Sequence, residues 1–365
     1  MAEQPDITPE EPEGLGGNDD VLSSDDNSLD TLLIRHESRT IYEIVRRIGQ
    51  DAYIMDPDFQ RDFIWPEKKQ SKLIESVLMR IPLPVFYLAE DDQGRMVVVD
   101  GLQRLSTFKR FLDNELPLSI PGNDELNNKR FKDLPPKLQN RVEDCNLILY
   151  IMDAKIPEQA RLDIFERVNS GVPLTRQQMR NSLYMGKATR FLKTEAHTEI
   201  FLRATGRSLN QGTMRDREFV NRFCAFQLRG LYTGNMDEFL AQALKKMNSL
   251  KSGDLSHLSA EFQIGLANNY EVFGRQAFRK HQSLQDKQTV LNASLWDVMS
   301  TGLSRYPEGT VKSHTQELRK AFYDLMKNSG FESAITKSTN ATNVVKRRFS
   351  LAEKMFKEVL GDQPA

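Results

Sequence analysis

The chain has 365 residues, of which 39% are hydrophobic and 28% charged, so it is longer than one usual domain and has a composition typical of folded cores. Lys and Arg total 50 and Asp and Glu total 51, but ten of these acids lie in the first 30 residues, where no Lys or Arg occurs. The rest carries 50 bases against 41 acids, which favours an anionic partner such as a nucleotide or nucleic acid, although a soluble protein with a solvated surface has the same balance.

Cysteine usage and hydropathy exclude several classes of protein. The two cysteines, Cys145 and Cys224, are isolated among apolar neighbours, which argues against a disulfide framework and against a paired metal site. No apolar run is long enough to span a bilayer, and the N-terminus lacks the basic and apolar regions of a secretory signal. We therefore expect a cytoplasmic protein without a membrane partner.

Residues 1–30 are rich in Pro, Gly, Asp, Glu and Ser, which predicts a disordered acidic tail. The following part, 31–160, mixes short helices and strands and predicts an α+β domain. The predicted helices are Ile41–Ile48 with Thr40 as cap, about Pro66–Leu78 and Gly101–Leu112, and the predicted strands are Val85–Leu88, Met96–Val99 and Leu147–Met152.

From residue 161 onward strand signals nearly vanish, and apolar residues recur every three to four positions. This part, 161–362, predicts an all-α domain. Its predicted helices are Arg161–Asn169, Thr175–Tyr184, Asp216–Leu231, Asp237–Leu250, Leu258–Phe273, Ala293–Leu303, His314–Lys327 and Asn343–Val359.

The strongest candidate for a functional site runs from Asp100 through Gly101 and Gln103 to Arg104, where a buried strand passes into a helix. Free N–H groups and the dipole at a helix start favour an anion. Arg104 can grip a phosphate bidentately, and Asp100 can hold a metal ion or position a water. The alternative is structural, because Asp followed three residues later by Gln resembles a helix capping box, and spacing alone favours this alternative.

Two further segments supply candidate nucleotide-binding residues. Gln60 and Arg61 lie between aromatic residues in a segment that is not a regular helix, and they can meet the same ligand as Arg104. Arg167 and Asn169, near the end of a predicted helix, are candidates to face a nucleotide. The alternatives are a surface loop for the first segment and a glycine-terminated helix end for the second.

Other signals are weaker or missing. The sequence contains neither a GxxxxGK[ST] phosphate loop nor a GxGxxG after a strand, and its five histidines are scattered. Lys346, Arg347 and Arg348 form a basic stretch on a predicted helix. We interpret this stretch as a solvated face that can also contact nucleic-acid phosphates.

Five blocks in a fixed order make the sequence similar to a known family. They are Asp58-Phe59-Gln60-Arg61, Leu73-Ile74-Glu75-Ser76, Ile81-Pro82-Leu83-Pro84, Val99–Thr107 and Phe165–Gly171. Together they resemble the N-terminal domain of the GmrSD restriction endonucleases, a family of the ParB/sulfiredoxin-like group with a signature written DGQQR. With further likeness at Met214–Glu218 and Gly274–Arg279, the resemblance covers roughly residues 35–305, and it favours a functional interpretation of Asp100–Arg104.

The resemblance implies an NTP-binding and NTP-hydrolysing module of a DNA restriction or phage-defence system, on a ParB/sulfiredoxin-like α+β domain with a small mixed sheet. It implies a divalent cation, Mg²⁺, held by Asp100, and as partners a nucleoside triphosphate, DNA and a separate nuclease or defence subunit. The residues implied by position are Asp100, Gln103 and Arg104 as catalytic, and Gln60, Arg61, Gly101, Arg167 and Asn169 as nucleotide-binding.

Two departures from the family pattern limit this transfer. Leu102 stands where the signature has its first Gln, and residues 300–365 lack the His-rich cluster of a His-Asn-His nuclease. Cleavage of DNA by this chain alone is therefore the least favoured function. The two functions carried forward are a nucleoside triphosphatase module and a non-catalytic module that binds DNA or protein on the same fold.

Overall fold

The structure is a computed structural model that describes residues 10–15, 34–55, 65–91, 93–123, 125–156, 158–168 and 174–362. Its contacts divide the chain into two compact units. One unit, Asp25–Leu183, is called here the α+β unit, and the other, Met1–Ser24 with Tyr184–Ala365, the helical unit. The boundary predicted at residue 160 lies inside the α+β unit, within the helix Glu158–Val168, and the helix Arg176–Leu183 also belongs to this unit.

A five-stranded mixed sheet forms the centre of the α+β unit and confirms the predicted fold class. Its strands lie in the order β1-β5-β3-β4-β2. The pairs β1–β5 and β3–β4 are antiparallel, whereas β3–β5 and β2–β4 are parallel. The bounds are β1 Ile34–Thr40, β2 Tyr53–Ile54, β3 Phe86–Glu90, β4 Met96–Asp100 and β5 Asn146–Met152.

Helices cover this sheet and bury a core around it. Thr40 caps the first helix as predicted, since its hydroxyl accepts a bond from the Glu43 N–H at 3.2 Å. Ile44, Phe86 and Phe108 have no exposed surface, so helices and sheet share one core. The helices are α1 Ile41–Ile48, α2 Glu67–Leu78, α3 Leu102–Leu112, α4 Pro136–Glu143, α5 Glu158–Val168 and α6 Arg176–Leu183.

The helical unit is built around the aromatic side chain of Trp296. Its ring has no exposed surface and packs on Phe219 and Phe278 at centroid distances of 4.9 and 4.5 Å. The helices are α7 Lys187–Ala196, α8 Glu199–Thr205, α9 Arg215–Gln227, α10 Met236–Ser249, α11 Ser252–Phe273, α12 Ala293–Leu303, α13 Glu308–Ser313, α14 Thr315–Lys327, α15 Ser329–Thr336 and α16 Thr342–Leu360. None of the helices described here is long and apolar enough to cross a membrane.

Residues 10–15 differ from the disordered tail that composition predicts. The N–H of Glu10 donates to the Ser208 carbonyl and that of Glu13 to the Leu291 carbonyl, both at 2.8 Å. In return, the Ala293 N–H donates to the Glu13 carbonyl at 2.9 Å. Composition fails here because the order of this segment depends on partners nearly 200 or more positions away rather than on apolar surface of its own.

Candidate functional site

The candidate site begins where β4 ends. Asp100 is the last residue of β4 and lies opposite Tyr87 of β3, next to an irregularity in the pairing. Gly101 then turns the chain into α3 with a φ of 100°. A Cβ at this position would lie 2.3 Å from Cδ1 of Phe86, so glycine is required by space as well as by conformation.

Arg104 anchors this turn from within the protein. Its side chain is 9% exposed, and its Nη2 donates to Oδ2 of Asp100 at 2.7 Å and to the Val85 carbonyl at 3.0 Å. Nη1 donates to the Pro84 carbonyl, and the guanidinium lies 4.1 Å from the centre of the Phe86 ring. Burial lowers the pKa of Arg104, and Asp100 opposes this shift. The guanidinium thus serves protein groups, which differs from the phosphate fork predicted from the sequence.

Asp100 is oriented by this contact yet open to solvent. Its side chain remains 39% exposed while its Oδ2 is held by Arg104. It does not cap α3, because Gly101 is the N-cap residue and no side chain bonds to the first turn as a cap. The capping-box alternative is therefore wrong, and the Asp-x-x-Gln spacing has another cause.

Gln103 explains that spacing. Its Oε1 accepts a hydrogen bond from the backbone N–H of Trp65 at 3.1 Å. The Trp65 carbonyl in turn accepts from Gln70 Nε2 at 2.6 Å, and Gln70 Oε1 accepts from Arg110 at 2.8 Å. Gln103 therefore positions the backbone of Trp65 just before α2. Gln60 and Arg61 lie outside the described residues.

The remaining predicted site residues have different outcomes. Arg167 is exposed on α5, and Asn169 lies outside the described residues. Lys346 and Arg347 are exposed on α16, but Arg348 has no exposed surface. Its burial excludes the predicted contact with nucleic-acid phosphates.

The position of Arg348 follows from helix geometry. It lies on the same face of α16 as the buried Val345 and Ala352, at spacings of three and four residues. There its Nη2 donates to Oδ2 of the fully buried Asp297 at 2.8 Å. The apolar periodicity of this helix is the sequence signal that places Arg348 on the buried face and Lys346 and Arg347 on the exposed face.

Sequence reasoning missed a buried polar face on α6, which packs against β4. Gln177, Arg180 and Asn181 are at most 2% exposed, and Arg180 Nε donates to Gln177 Oε1 at 3.1 Å. Their spacing of three and four residues marks one face of the helix, but polar residues at this spacing do not by themselves predict that the face is buried. These side chains therefore form a buried polar face on a helix that contacts the strand ending at Asp100.

The described residues contain no group of three or more His, Cys, Asp or Glu side chains able to hold a metal ion. Asp100 would therefore offer a metal ion a single carboxylate, without a group of further carboxylate ligands around it. This donor set suits Mg²⁺ bound mainly by phosphate oxygens and waters, because Mg²⁺ in nucleotide sites commonly takes only one or two carboxylates from the protein.

Comparison with known proteins gives one match. Residues 41–185 match the family model described as GmrSD restriction endonuclease, N-terminal domain. The matched range is less than half of the chain, includes β2 to β5 and the Asp100 turn, and ends just beyond α6. Neither the curated proteins nor the solved structures gave a match. Residues 41–185 are therefore similar to the N-terminal domain of the GmrSD restriction endonucleases.

Proposed function

We propose that the α+β unit binds a nucleoside triphosphate with Mg²⁺ at Asp100 and the first turn of α3, and hydrolyses it as part of a restriction or phage-defence system. The observation that carries this proposal is the state of Asp100: its Oδ2 is fixed at 2.7 Å from Arg104, while 39% of the side chain is exposed. A carboxylate that is held in place and open to solvent is suited to orient a cation or a water.

The surroundings of Asp100 favour an anionic ligand. The start of α3 presents backbone N–H groups of its first turn and the positive end of the helix dipole. Gly101 allows the chain to turn into this helix start with a φ of 100°, and the Phe86 ring fills the space beside its Cα. Phosphoryl transfer requires little covalent chemistry from the protein, and it depends on positioned charges and an oriented water.

The proposal assigns different roles to the two arginines of the family motifs. Arg104 is engaged by Asp100 and two carbonyls, so it acts as a positioning residue that holds the Asp100 carboxylate. Arg61 then becomes the cation proposed to neutralise phosphate charge, with Gln60 beside it and Arg167 as a further candidate. Mg²⁺ bound with the nucleotide would neutralise charge on the phosphates during hydrolysis.

Two carboxylates at opposite ends of α3, Asp100 and Asp113, provide a test of this proposal and its control. Asp113, at the end of α3, is 39% exposed like Asp100 and pairs with Lys109 in the same i,i+4 spacing. We expect Asp100→Asn to lower Mg²⁺-dependent phosphate release about 100-fold, the size typical of one lost electrostatic group. Asp113→Asn should leave the rate unchanged. A panel of NTPs and dNTPs measures both, with thermal unfolding to confirm that each variant is folded.

A non-catalytic DNA- or protein-binding module is the second candidate. It is favoured by the engagement of Arg104, because a motif whose arginine bonds protein groups can be purely structural. The exposed Lys346 and Arg347 supply cations for phosphates. This candidate predicts DNA affinity that falls steeply with salt, and no phosphate release from any nucleotide in the panel.

A further inference from the structure

A short acidic segment near the N-terminus lies in a groove of the helical unit. We call Glu10–Gly14 the acidic strap. It runs parallel to two pieces of chain, with bridges from Glu10 to Leu209 and from Glu13 to Asn292. Between these bridges Pro12 is buried, so the strap enters the groove rather than resting on its rim.

Each glutamate of the strap pairs with a cation of the helical unit. Glu10 contacts Arg279 and Glu13 contacts Lys280, both with an N to O distance of 2.7 Å. Glu11 contacts Arg215 at 2.5 Å. Three carboxylates and three cations therefore match along the groove, which selects an acidic ligand.

The pairing of Arg279 with Glu10 differs from a surface ion pair, because Arg279 is buried. Its side chain is 1% exposed, and its other hydrogen-bond partners are the neutral carbonyls of Thr205 and Thr289 and the hydroxyl of Ser208. Glu10 supplies a carboxylate to this buried guanidinium. Removing a partner from a buried charge is strongly unfavourable, so the groove favours an occupied state.

The backbone contacts specify a peptide. Ser208 and Leu291 offer carbonyl oxygens that accept N–H bonds from the strap, and the Ala293 N–H donates back to it. Phosphate groups of a nucleic acid carry no donor for these carbonyls. Asn292 links the groove to the fold, because its side chain caps α12 and also donates to Glu13 at 3.2 Å.

We propose that the helical unit contains a binding groove for an extended acidic peptide of the type Glu-Glu-Pro-Glu-Gly, and that the acidic strap of this chain is its resident, exchangeable ligand. Exchange is feasible because the strap carboxylates are 30%, 67% and 34% exposed, so water and salt reach the ion pairs. A partner that presents a similar acidic segment would bind at the same place once the strap is displaced. This inference is independent of the nucleotide site.

The test uses the whole chain with a specific protease site inserted after Asn18. After cleavage at low salt, we expect the N-terminal fragment to co-elute with the rest of the protein and to dissociate at high salt. A fluorescent peptide of residues 6–17 should then bind the cleaved and salt-stripped protein with a Kd on the order of micromolar. The same peptide should not bind the uncut chain, whose groove is filled.

Variant peptides test the charge pattern. A peptide with Glu10→Gln and Glu13→Gln should bind at least about tenfold more weakly, because these residues pair with Arg279 and Lys280. Glu11→Gln should change affinity only about twofold, since that side chain is the most exposed of the three. Equal affinity of all three peptides would overturn the proposal, as would a fragment that elutes separately at low salt.

Two further arms keep the proposal open to refutation. Duplex DNA at constant ionic strength should not displace the peptide, and displacement would show a nucleic-acid groove instead. In the uncut chain, Glu10→Gln with Glu13→Gln should speed hydrogen exchange of the Ala293 amide, which donates to the strap. An unchanged exchange rate would contradict a strap held by these glutamates.

Discussion

Two arginine–aspartate arrangements, one in each unit, show how solvent access separates a candidate site from a structural core. In the α+β unit, Arg104 and Asp100 are 9% and 39% exposed. In the helical unit, Asp297 is fully buried and is shared by Arg222 and Arg348, at 2.7 and 2.8 Å. The chemistry of the pairs is the same, but only Asp100 can meet a ligand from solution. A charged residue in a motif therefore indicates a ligand-binding site only if its side chain is also exposed to solvent.

The largest expected effect on stability comes from breaking the buried arrangement of Asp297 with Arg222 and Arg348. Asp297→Asn should lower the free energy of unfolding by about 3–5 kcal/mol, because two buried guanidinium groups lose their counter-charge. Denaturant unfolding measures this loss. The control is Asp324→Asn, whose partner Lys327 is 63% exposed and whose removal should change stability by less than about 1 kcal/mol. Equal losses of stability in the two variants would contradict the distinction between buried and exposed ion pairs.

Gly101→Ala should have the next largest effect on stability, because Gly101 forms the turn between Asp100 and Arg104. Alanine at Gly101 meets both an unfavourable φ and the Phe86 ring, so we expect a loss of about 3 kcal/mol. Gly122 has a similar φ of 91°, but a Cβ there meets nothing within 4 Å. Gly122→Ala should therefore cost only about 1–2 kcal/mol, from the conformation alone. Similar losses in both variants would show that the close approach of Phe86 is unimportant.

Asp216 is a third buried or partly buried aspartate that can be compared with Asp100 and Asp297. Unlike Asp297, it has no arginine side chain bound to its Oδ2. It is 2% exposed, and among the described residues its Oδ2 has no hydrogen-bond partner. Burial raises the pKa of Asp216 from 3.8 to about 6.

Because the folded state holds this proton more tightly than the unfolded state, stability is highest below pH 4 for this group and falls as the pH rises toward and past 6. The loss amounts to about 2–3 kcal/mol at 1.36 kcal/mol per pKa unit. Asp216→Asn should lack it. Urea unfolding at pH 4.5 and 7.5 compares the two proteins, and parallel pH profiles would contradict a raised pKa.

Much of the α+β unit could be predicted from the sequence because its signals are local. Thr40 caps α1, and the run Met96–Val99 gives a buried strand that ends at Asp100. The edge strand Ile34–Thr40 was missed because it pairs on one side only and alternates polar with partly buried residues. The helices α8 and α13, of seven and six residues, were missed because about two turns or fewer give too little periodicity, and α7 and α15 were missed as well.

The candidate site was only partly predictable. Its place at Asp100–Arg104 followed from the strand, the glycine and the helix start, but the partners of Arg104 did not. The guanidinium binds the carbonyls of Pro84 and Val85, about twenty residues away, and no sequence spacing encodes that contact. For the same reason the strap partners Arg215, Arg279 and Lys280 could not be inferred from an acidic N-terminus.

We propose that the exposed carboxylate of Asp100 holds the Mg²⁺ that accompanies the phosphates of a bound nucleotide. Titration calorimetry with Mg²⁺ and non-hydrolysable NTP analogues tests it most directly. We predict saturable binding to the unaltered chain and to Asp113→Asn, and affinity at least about tenfold weaker for Asp100→Asn, in line with a lost charge-assisted contact. Absence of binding to the unaltered chain, or equal affinity of all three proteins, would contradict the claim.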